Sequence, residues 1–289
     1  PAGDTPSATV VFVHGSGPSD MSETIGANAP LRELEHSMGE KGIASMRYDK
    51  RTCRHGAALS EAGDSISIDE EVALDALAAM KFAQTQEGLN HERVYLLGHS
   101  MGGGLLSYIN SLGADCAGYI ILAGSPRNLW ELSMEQNLLL ADELELEGDA
   151  EGAEELRAQL EQERLKAAGL ANLDADEIVF GMPAGYLQQF EQIDAVALHL
   201  ADGLPMLILQ GEKDRQVTMT DFALWREGLA SHPDTTMISY PSLNHLFGEY
   251  NGTAVPFSQM VSVEYAQKTP VAAKVSDDIA NWLKLAANQ

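Results

Sequence analysis

The fold of this chain is indicated by residues 93–102, which read RVYLLGHSMG. Residues 93–97 are mostly apolar, as in a buried β-strand, and a helical pattern follows over residues 103–112. The glycines on either side of the segment HSM permit a tight strand-to-helix turn that pushes the Ser100 hydroxyl outward. The N-terminus of the following helix presents free N–H groups next to that hydroxyl. The stretch is therefore typical of a serine nucleophile at the carboxyl end of a parallel strand.

Five more segments have strand character, and amphipathic helical patterns separate them. The predicted strands are residues 9–13, 43–47, 93–97, 118–122, 206–210 and 235–240. The predicted helices are residues 31–41, 69–86, 101–112, 220–230 and 274–287. Strands without polar alternation, separated by such helices, indicate the α/β class with a mostly parallel central sheet and helices on both faces. Right-handed crossovers then bring the carboxyl ends of the strands to one edge, where such folds hold their sites.

The alternation of strands and helices is interrupted between Leu129 and Val196, where we predict helices and no strand. Because it resumes at Met206, we interpret residues 129–196 as a helical cap, inserted into a core formed by residues 1–128 and 197–289. Ten carboxylates crowd residues 142–163 of this insertion, and Arg157 opposes them. A solvated helical face is one interpretation of this cluster and a specific cation site is the other.

A serine is a weak nucleophile at its ordinary pKa, so Ser100 requires a base, and the base requires an orienting acid. Among the eight histidines, His245 follows the last predicted strand and a turn-like segment, which places it at the same sheet edge as Ser100. Asp214 follows the strand at 206–210 and reaches that edge too. The order Ser100, Asp214, His245 is one known order of a serine–acid–histidine triad. We predict that Ser100 attacks, His245 takes and returns the proton, and Asp214 fixes the imidazole tautomer.

Acyl transfer also needs N–H donors for the developing oxyanion. We predict one donor in the backbone N–H of Met101, directly after Ser100. The second is expected in the loop after the first strand, at the N–H of Ser16, with Gly17 as the alternative. The flanking Gly15 and Gly17 let the backbone approach a substrate, so both are predicted to contact it. The residues present no metal-ligand spacing and no phosphate-binding loop, so neither a metal nor a cofactor is expected.

Four further motifs accompany the turn around Ser100. They are HGSGP at 14–18, RYDKR at 47–51, LQGEKD at 209–214 and LNHLF at 243–247. With them the sequence resembles the alpha/beta-hydrolase superfamily, and more narrowly bacterial carboxylesterases related to serine aminopeptidase-like hydrolases. The resemblance covers nearly the whole chain and is weakest in the insertion and over residues 248–270. It implies an alpha/beta-hydrolase fold whose core sheet has eight strands, a helical cap between strands six and seven, and esterase activity.

The resemblance also implies two antiparallel strands ahead of residue 9, which this sequence lacks. Because the sequence begins at Pro1 and not at a methionine, we expect that residues preceding it are missing. A removed signal peptide would leave no trace here, so the compartment stays open, with the cytoplasm favoured.

The composition limits the partners. Eighteen Lys and Arg against 43 Asp and Glu give a formal charge of −25. Such a surplus argues against nucleic acid and against anionic lipid, because both require basic residues. No apolar run approaches the roughly 18 residues of a membrane span. With only Cys53 and Cys116 present, we predict two free thiols. A small-molecule ester is the expected partner, and assembly into a homo-oligomer is left open.

Several side chains are candidates for contact with the substrate. Leu246 and Phe247, next to His245, are predicted as pocket wall. Eight apolar or aromatic cap side chains either line the pocket or pack within the cap; they are Trp130, Met134, Leu138, Phe180, Met182, Tyr186, Leu187 and Phe190. Of these, Trp130 is the one predicted to contact the substrate. A basic cluster on an edge loop, formed by Lys50, Arg51 and Arg54, either pairs with nearby acids or holds a substrate carboxylate.

Three functions are compatible with these patterns. A serine carboxylesterase for small to medium acyl esters is favoured. An amide hydrolase of the aminopeptidase type would use the same triad together with an acid that holds the free amine. A non-catalytic binding module on a hydrolase scaffold usually lacks the serine, the base or the acid, and all three are present here.

Overall fold

The core of the molecule is a parallel sheet, described here from a computed structural model that covers residues 7–62, 66–250 and 255–286. The strands are β1 (Thr9–Val13), β2 (Ala44–Met46), β3 (Val94–His99), β4 (Tyr119–Leu122), β5 (Ile178–Val179), β6 (Met182–Pro183), β7 (Met206–Gly211) and β8 (Thr235–Tyr240). Within these residues the central sheet has six strands in the order β2-β1-β3-β4-β7-β8, all parallel. The α/β class and the six predicted core strands are confirmed. The two strands that the resemblance implies before β1, and the expectation about Pro1, concern sequence outside the described residues.

Helices cover both faces of the sheet. The α-helices are α1 (Pro30–Gly39), α2 (Arg51–Ala62), α3 (Leu74–Ala83), α4 (Met101–Gly104), α5 (Leu106–Ile109), α6 (Leu129–Leu146), α7 (Ala150–Ala168), α8 (Ala184–Glu191), α9 (Ala195–Asp202), α10 (Met219–Gly228) and α11 (Ala273–Leu285). Short 3₁₀ or π turns occur at Asp69–Ala73, Asn110–Ala114, Leu170–Asn172, Phe257–Gln259 and Met260–Glu264. The helix predicted over 274–287 is α11, and Ala287 lies outside the described residues. No described helix is long and apolar enough to cross a membrane.

The two faces of the sheet form two separate apolar layers. Every residue of β1, β3, β4 and β7 is buried, which explains why these segments lack polar alternation. Successive side chains point to opposite faces: Val11 and Leu96 belong to the layer under α3 and α10, whereas Phe12 and Leu97 belong to the layer under α1 and α11. Burial on both faces holds the carboxyl ends of the strands in one row.

The helix predicted over residues 101–112 is broken into three pieces. Helix α4 ends at Gly104, α5 begins at Leu106, and a π turn follows at Asn110–Ala114. Three consecutive glycines at 102–104 are poor helix formers, and they are required because this backbone touches neighbouring loops. A Cβ at Gly102 would lie 2.5 Å from the carbonyl oxygen of His14.

The insertion contains one element that the sequence did not predict. Strands β5 and β6 pair antiparallel through a two-residue turn at Phe180 and Gly181, both with positive φ. Such a turn normally has Asn or Asp followed by Gly. Because Phe occupies the first turn position here and each strand has only two residues, the sequence lacks the pattern that predicts a hairpin. The expectation of no strand between 129 and 196 is therefore wrong.

The proposed end of the cap at residue 196 falls inside α9. That helix contacts α5 of the core, and the Ser107 hydroxyl donates to the Ala195 carbonyl at 3.4 Å. The division into cap and core remains a prediction.

The acid-rich segment at 142–163 lies on α6 and α7. Arg157 pairs with Asp142 and Glu145 at 2.7 Å each, and the side chains of all three residues are exposed to solvent. Among the described residues, no group of three His, Cys, Asp or Glu side chains is arranged to hold a metal ion. These contacts favour the interpretation as a solvated helical face. Cys53 and Cys116 are both free.

The turn around Ser100 requires glycine at several positions, because a methyl group there would collide with neighbouring backbone atoms. We expect Gly98→Ala to lower the free energy of unfolding by about 1–3 kcal/mol, because the added Cβ would lie 2.4 Å from the Gly102 carbonyl oxygen. Gly39→Ala is the matched control: a Cβ there meets nothing within 4 Å, so stability should be unchanged or rise by up to about 1 kcal/mol. Urea unfolding measures both. Equal stabilities of the two variants would contradict the expectation.

Candidate active site

Ser100 occupies the turn between β3 and α4 in a conformation that few non-glycine residues adopt. Its φ is 53° and its ψ is −125°. Its N–H donates to the Leu122 carbonyl at 2.9 Å, which fastens the turn to the end of β4. A strained residue held in this way at the end of a buried strand is a feature of functional sites. Ser100 lines a cavity of about 600 Å³.

Asp214 and His245 meet at the ends of the two neighbouring strands β7 and β8. Oδ2 of Asp214 lies 2.7 Å from Nδ1 of His245, and both side chains are buried. Oδ1 of Asp214 accepts the N–H groups of Gln216 and Val217 at 2.8 and 3.0 Å, while Nε2 of Gln210 donates to Oδ2 at 3.1 Å. An ionised carboxylate can only accept hydrogen bonds, so Nδ1 of His245 must carry the proton in its hydrogen bond with Asp214. In the neutral ring, Nε2 is then the acceptor.

Ser16 and Met101, the predicted oxyanion donors, both line the cavity together with Ser100. Gly17 lines it too, with φ of 78°. Gly15 has a different role from the predicted substrate contact. Its N–H donates to Oε1 of Glu23 at 2.6 Å and its carbonyl accepts from Nζ of Lys50 at 3.0 Å, so its polar groups are already occupied. A Cβ on Gly15 would lie 3.1 Å from the Cβ of Ser100, and its absence permits the close approach of the loop.

The other predicted pocket residues lie elsewhere. Leu246 packs against Met260 and Tyr265, and Phe247 packs edge-on to Tyr240 in the core. They turn inward because Oδ1 of Asn244 accepts the N–H groups of Leu246 and Gly248 and folds the loop back. The ring of Trp130 stacks on that of Phe180, with centroids 6.4 Å apart. These three side chains are not among the described residues that line the cavity.

The cavity is lined from both the core and the insertion. The start of α6, the hairpin β5–β6 and α8 form one side; from these elements the lining residues are Leu129, Leu132, Ser133, Gln136, Gly181, Met182, Pro183 and Tyr186. Met182 and Tyr186 belong to the predicted cap set, whereas the residues at the start of α6 were missed. Glu71 was also missed as a lining residue, because its position at the beginning of a helix explains an acid without any pocket.

Each member of the predicted basic cluster has a carboxylate partner. Nζ of Lys50 lies 2.7 Å from Glu71, and Arg51 binds Asp75 through two nitrogens. Arg54 lies 3.9 Å from Asp49. Arg51 and Arg54 belong to α2 and not to the predicted loop. The pairing favours charge balance within the protein over capture of a substrate carboxylate.

Comparison with known proteins agrees with this architecture. A model of the alpha/beta hydrolase family matches residues 10–255. The chain belongs to the alpha/beta hydrolase family. It is 33% identical over 283 residues to esterase EstD of Thermotoga maritima, a match that covers 98% of this chain and 63% of that relative. The chain thus spans less than two thirds of the length of this curated relative.

Solved structures of other alpha/beta hydrolases have the same fold. Est1E from Butyrivibrio proteoclasticus is 12% identical, with a TM-score of 0.59 over 99% of this chain and 90% of that one. The Pyrococcus furiosus esterase Pf2001 is 12% identical, with a TM-score of 0.54 over 97% of this chain and 82% of that one. At such low identity the likeness concerns the fold alone.

A buried pair of side chains, Glu23 and His99, lies next to His245. Oε2 of Glu23 is 2.8 Å from Nδ1 of His99, and Nε2 of His99 donates to the His245 carbonyl at 2.9 Å. Both ring nitrogens thus lie next to acceptor atoms, an arrangement that favours the protonated form of His99. Burial opposes these charges, but the charge of His99 outweighs it and lowers the pKa of Glu23 to about 2. Burial likewise lowers the pKa of His99, and the charge of Glu23 reverses this and raises it.

The opposite pKa shifts of Glu23 and His99 define a pH window for their contribution to stability. The contribution of Glu23 is present above its unfolded pKa of 4.5 and is lost as the pH falls toward 2. The contribution of His99 is present below its unfolded pKa of 6.5 and is lost as the pH rises through its raised folded value.

We therefore expect Glu23→Gln to destabilise the protein most between pH 4.5 and 6.5, by about 3 kcal/mol, the scale of a broken buried pair. The loss should shrink as the pH rises above that window. Urea unfolding at a series of pH values measures it. Glu161→Gln, which breaks an exposed pair with Arg164, should have no measurable effect. A pH-independent loss in Glu23→Gln would count against a charged pair.

Proposed function

We propose that this chain is a serine carboxylesterase that hydrolyses small to medium acyl esters through an acyl-enzyme. The observation that carries the proposal is the buried hydrogen bond of 2.7 Å between Asp214 and His245, at the sheet edge where Ser100 opens into the cavity. The related EstD is named an esterase, which supports the same chemistry.

The proposed reaction begins when Oγ of Ser100 attacks the ester carbonyl carbon and Nε2 of His245 takes the hydroxyl proton. Asp214 stabilises the resulting imidazolium. The N–H groups of Met101 and Ser16 bind the oxyanion of the tetrahedral intermediate. Collapse breaks the ester C–O bond, and the departing alcohol receives the proton from His245. Water then attacks the acyl-enzyme, with His245 as the base, and releases the acid and the free Ser100 hydroxyl.

The cavity is consistent with a neutral acyl or alcohol group of modest size. Its volume of about 600 Å³ lies within the range of small-molecule sites. Among the described lining residues, Glu71 is the one charged side chain, and Lys50 neutralises it. Apolar side chains such as Leu129, Leu132 and Met182 line the same space.

These contacts favour an ester over an amide substrate with a free amine. An aminopeptidase needs a carboxylate available to the amine, but Glu71 already binds Lys50 and the Tyr186 hydroxyl. Glu143 of the acid-rich segment binds the N–H groups of Phe257 and Ser258. A binding module without catalysis is disfavoured because the chain retains all three residue types of the proposed triad, Ser100, His245 and Asp214.

The first experiment removes the nucleophile. We expect Ser100→Ala to reduce kcat for p-nitrophenyl butyrate by at least about 10,000-fold, as loss of a triad serine does, and to abolish labelling by a fluorophosphonate probe. Ser107→Ala is the control, because Ser107 is a buried serine of α5 whose hydroxyl makes a long hydrogen bond to the Ala195 carbonyl. Its kcat should match that of the wild type. Turnover retained by Ser100→Ala would refute the assignment.

The second experiment tests the charge preference. We expect p-nitrophenyl butyrate to have a kcat/KM at least about tenfold above that of mono-p-nitrophenyl succinate at low salt, because the anion is repelled by the negatively charged protein and loses hydration in a cavity without a free cation among its described lining residues. Added salt should narrow the difference by screening its long-range part. Equal kcat/KM values for the two esters at low salt would contradict the expectation.

A further inference from the structure

The loop that carries Ser16 is fastened by a buried cation that the reaction itself does not use. Nζ of Lys50 donates to the Gly15 carbonyl at 3.0 Å, and the Lys50 backbone N–H donates to the Ser19 carbonyl at 3.0 Å. Lys50 therefore holds both ends of the segment 15–19. The Lys50 side chain is 1% exposed, and it is not among the described residues that line the cavity.

These contacts determine which way the Gly15–Ser16 peptide faces. In a trans peptide the C=O and the N–H point in opposite directions. Since the Gly15 carbonyl points at the ammonium of Lys50, the N–H of Ser16 points away from that ammonium. Ser16, unlike Lys50, lines the cavity together with Ser100 and Met101. A peptide next to glycines turns over readily, and a reversed peptide would present a carbonyl oxygen to the oxyanion in place of a donor.

The position of the ammonium is set from the side of the insertion. Oε1 of Glu71 lies 2.7 Å from Nζ of Lys50, and Oε2 of Glu71 accepts the Tyr186 hydroxyl at 2.7 Å. Burial and the charge of Glu71 raise the pKa of Tyr186, so its hydroxyl remains a donor. A continuous chain of hydrogen bonds thus runs from α8 through Glu71 and Lys50 to the Gly15 carbonyl.

We propose that Lys50 is a positioning residue that locks the Gly15–Ser16 peptide with its N–H directed at the oxyanion, and that Glu71 and Tyr186 hold the ammonium in place. The inference rests on the proposed esterase function. The competing explanation is that Lys50 serves only to neutralise the buried Glu71. The two differ for a variant that removes both charges, because charge balance is then restored while the lock on the peptide is lost.

The test compares Lys50→Met and the double variant Lys50→Met/Glu71→Gln with the wild type. Each is assayed on a p-nitrophenyl ester and on the matching thionoester, whose sulfur accepts hydrogen bonds weakly and so draws less on the oxyanion donors. Loss of an oxyanion donor costs about 100- to 1,000-fold in kcat. For a donor that is only partly misdirected we expect kcat for the oxygen ester to fall about 10- to 100-fold in both variants, with KM little changed. The ratio of oxygen-ester to thionoester turnover should fall with it.

Arg51→Met is the matched control. It removes the neighbouring cation from its pair with Asp75 and should leave kcat and the turnover ratio unchanged. If the Lys50 variants do not fold, Tyr186→Phe decides, because it removes one hydroxyl and is expected to lower kcat for the oxygen ester selectively, by about threefold.

The outcomes separate the two proposals. A folded double variant that matches the wild type, or one that loses both ester activities equally, overturns the role of Lys50 and leaves the esterase function standing. If the Lys50 variants do not fold, an unchanged ratio of oxygen-ester to thionoester turnover in Tyr186→Phe overturns the role of Lys50 and leaves the esterase function standing. A wild type that hydrolyses neither ester overturns both proposals.

Discussion

The turn at Ser100, with φ of 53°, forces three stretches of backbone into contact, and the rest of the site follows from that contact. A Cβ at Gly98 would meet the Gly102 carbonyl oxygen at 2.4 Å, one at Gly102 would meet the His14 carbonyl oxygen at 2.5 Å, and one at Gly15 would meet the Ser100 Cβ at 3.1 Å. A conformation of this kind costs of order 1–3 kcal/mol. It persists because β3 lies between β1 and β4 with every residue buried. The loop after β1 and the turn after β3 are thereby held close together.

The same crowding brings charges into the interior, and each has a partner there. Glu23 faces His99, Lys50 faces Glu71, and Asp214 faces His245, with separations of 2.7 or 2.8 Å. A buried charge without a partner would cost several kcal/mol. Glu23 and Lys50 each have an oppositely charged partner, whereas the carboxylate of Asp214 is stabilised by the hydrogen-bond donors around it. The formal charge of −25 is instead carried largely by exposed residues, among them the acid-rich segment of α6 and α7. The net charge therefore affects how ligands approach the protein, whereas the buried pairs help to fix the arrangement of side chains around the cavity.

Much of the fold was predictable because the central strands are buried on both faces and so appear as short apolar runs. The meeting of Asp214 and His245 was predictable because both follow parallel strands, and parallel strands end at one edge. The pocket wall was not. Leu246 and Phe247 are apolar neighbours of His245, but the side chain of Asn244 folds their loop into the core, and no periodicity reveals that. The Lys50–Glu71 pair joins residues 21 apart, and the hairpin at β5–β6 has a Phe in a turn position that usually holds Asn or Asp. These features depend on tertiary contacts that local sequence does not encode.

Core and insertion contribute different things to the cavity, and Glu71 is a point where they meet. The proposed reacting groups Ser100, Asp214 and His245 all follow strands of the core. Changes in the insertion can therefore reshape the wall formed by α6, the hairpin and α8 without moving them. Tyr186 is an exception to this separation, because its hydroxyl binds the carboxylate that holds Lys50. A change at most wall positions alters which substrates fit, whereas a change at Tyr186 also reaches the Gly15–Ser16 peptide through two charged side chains. In the proposed mechanism the insertion therefore helps to orient the oxyanion donor, in addition to lining the cavity.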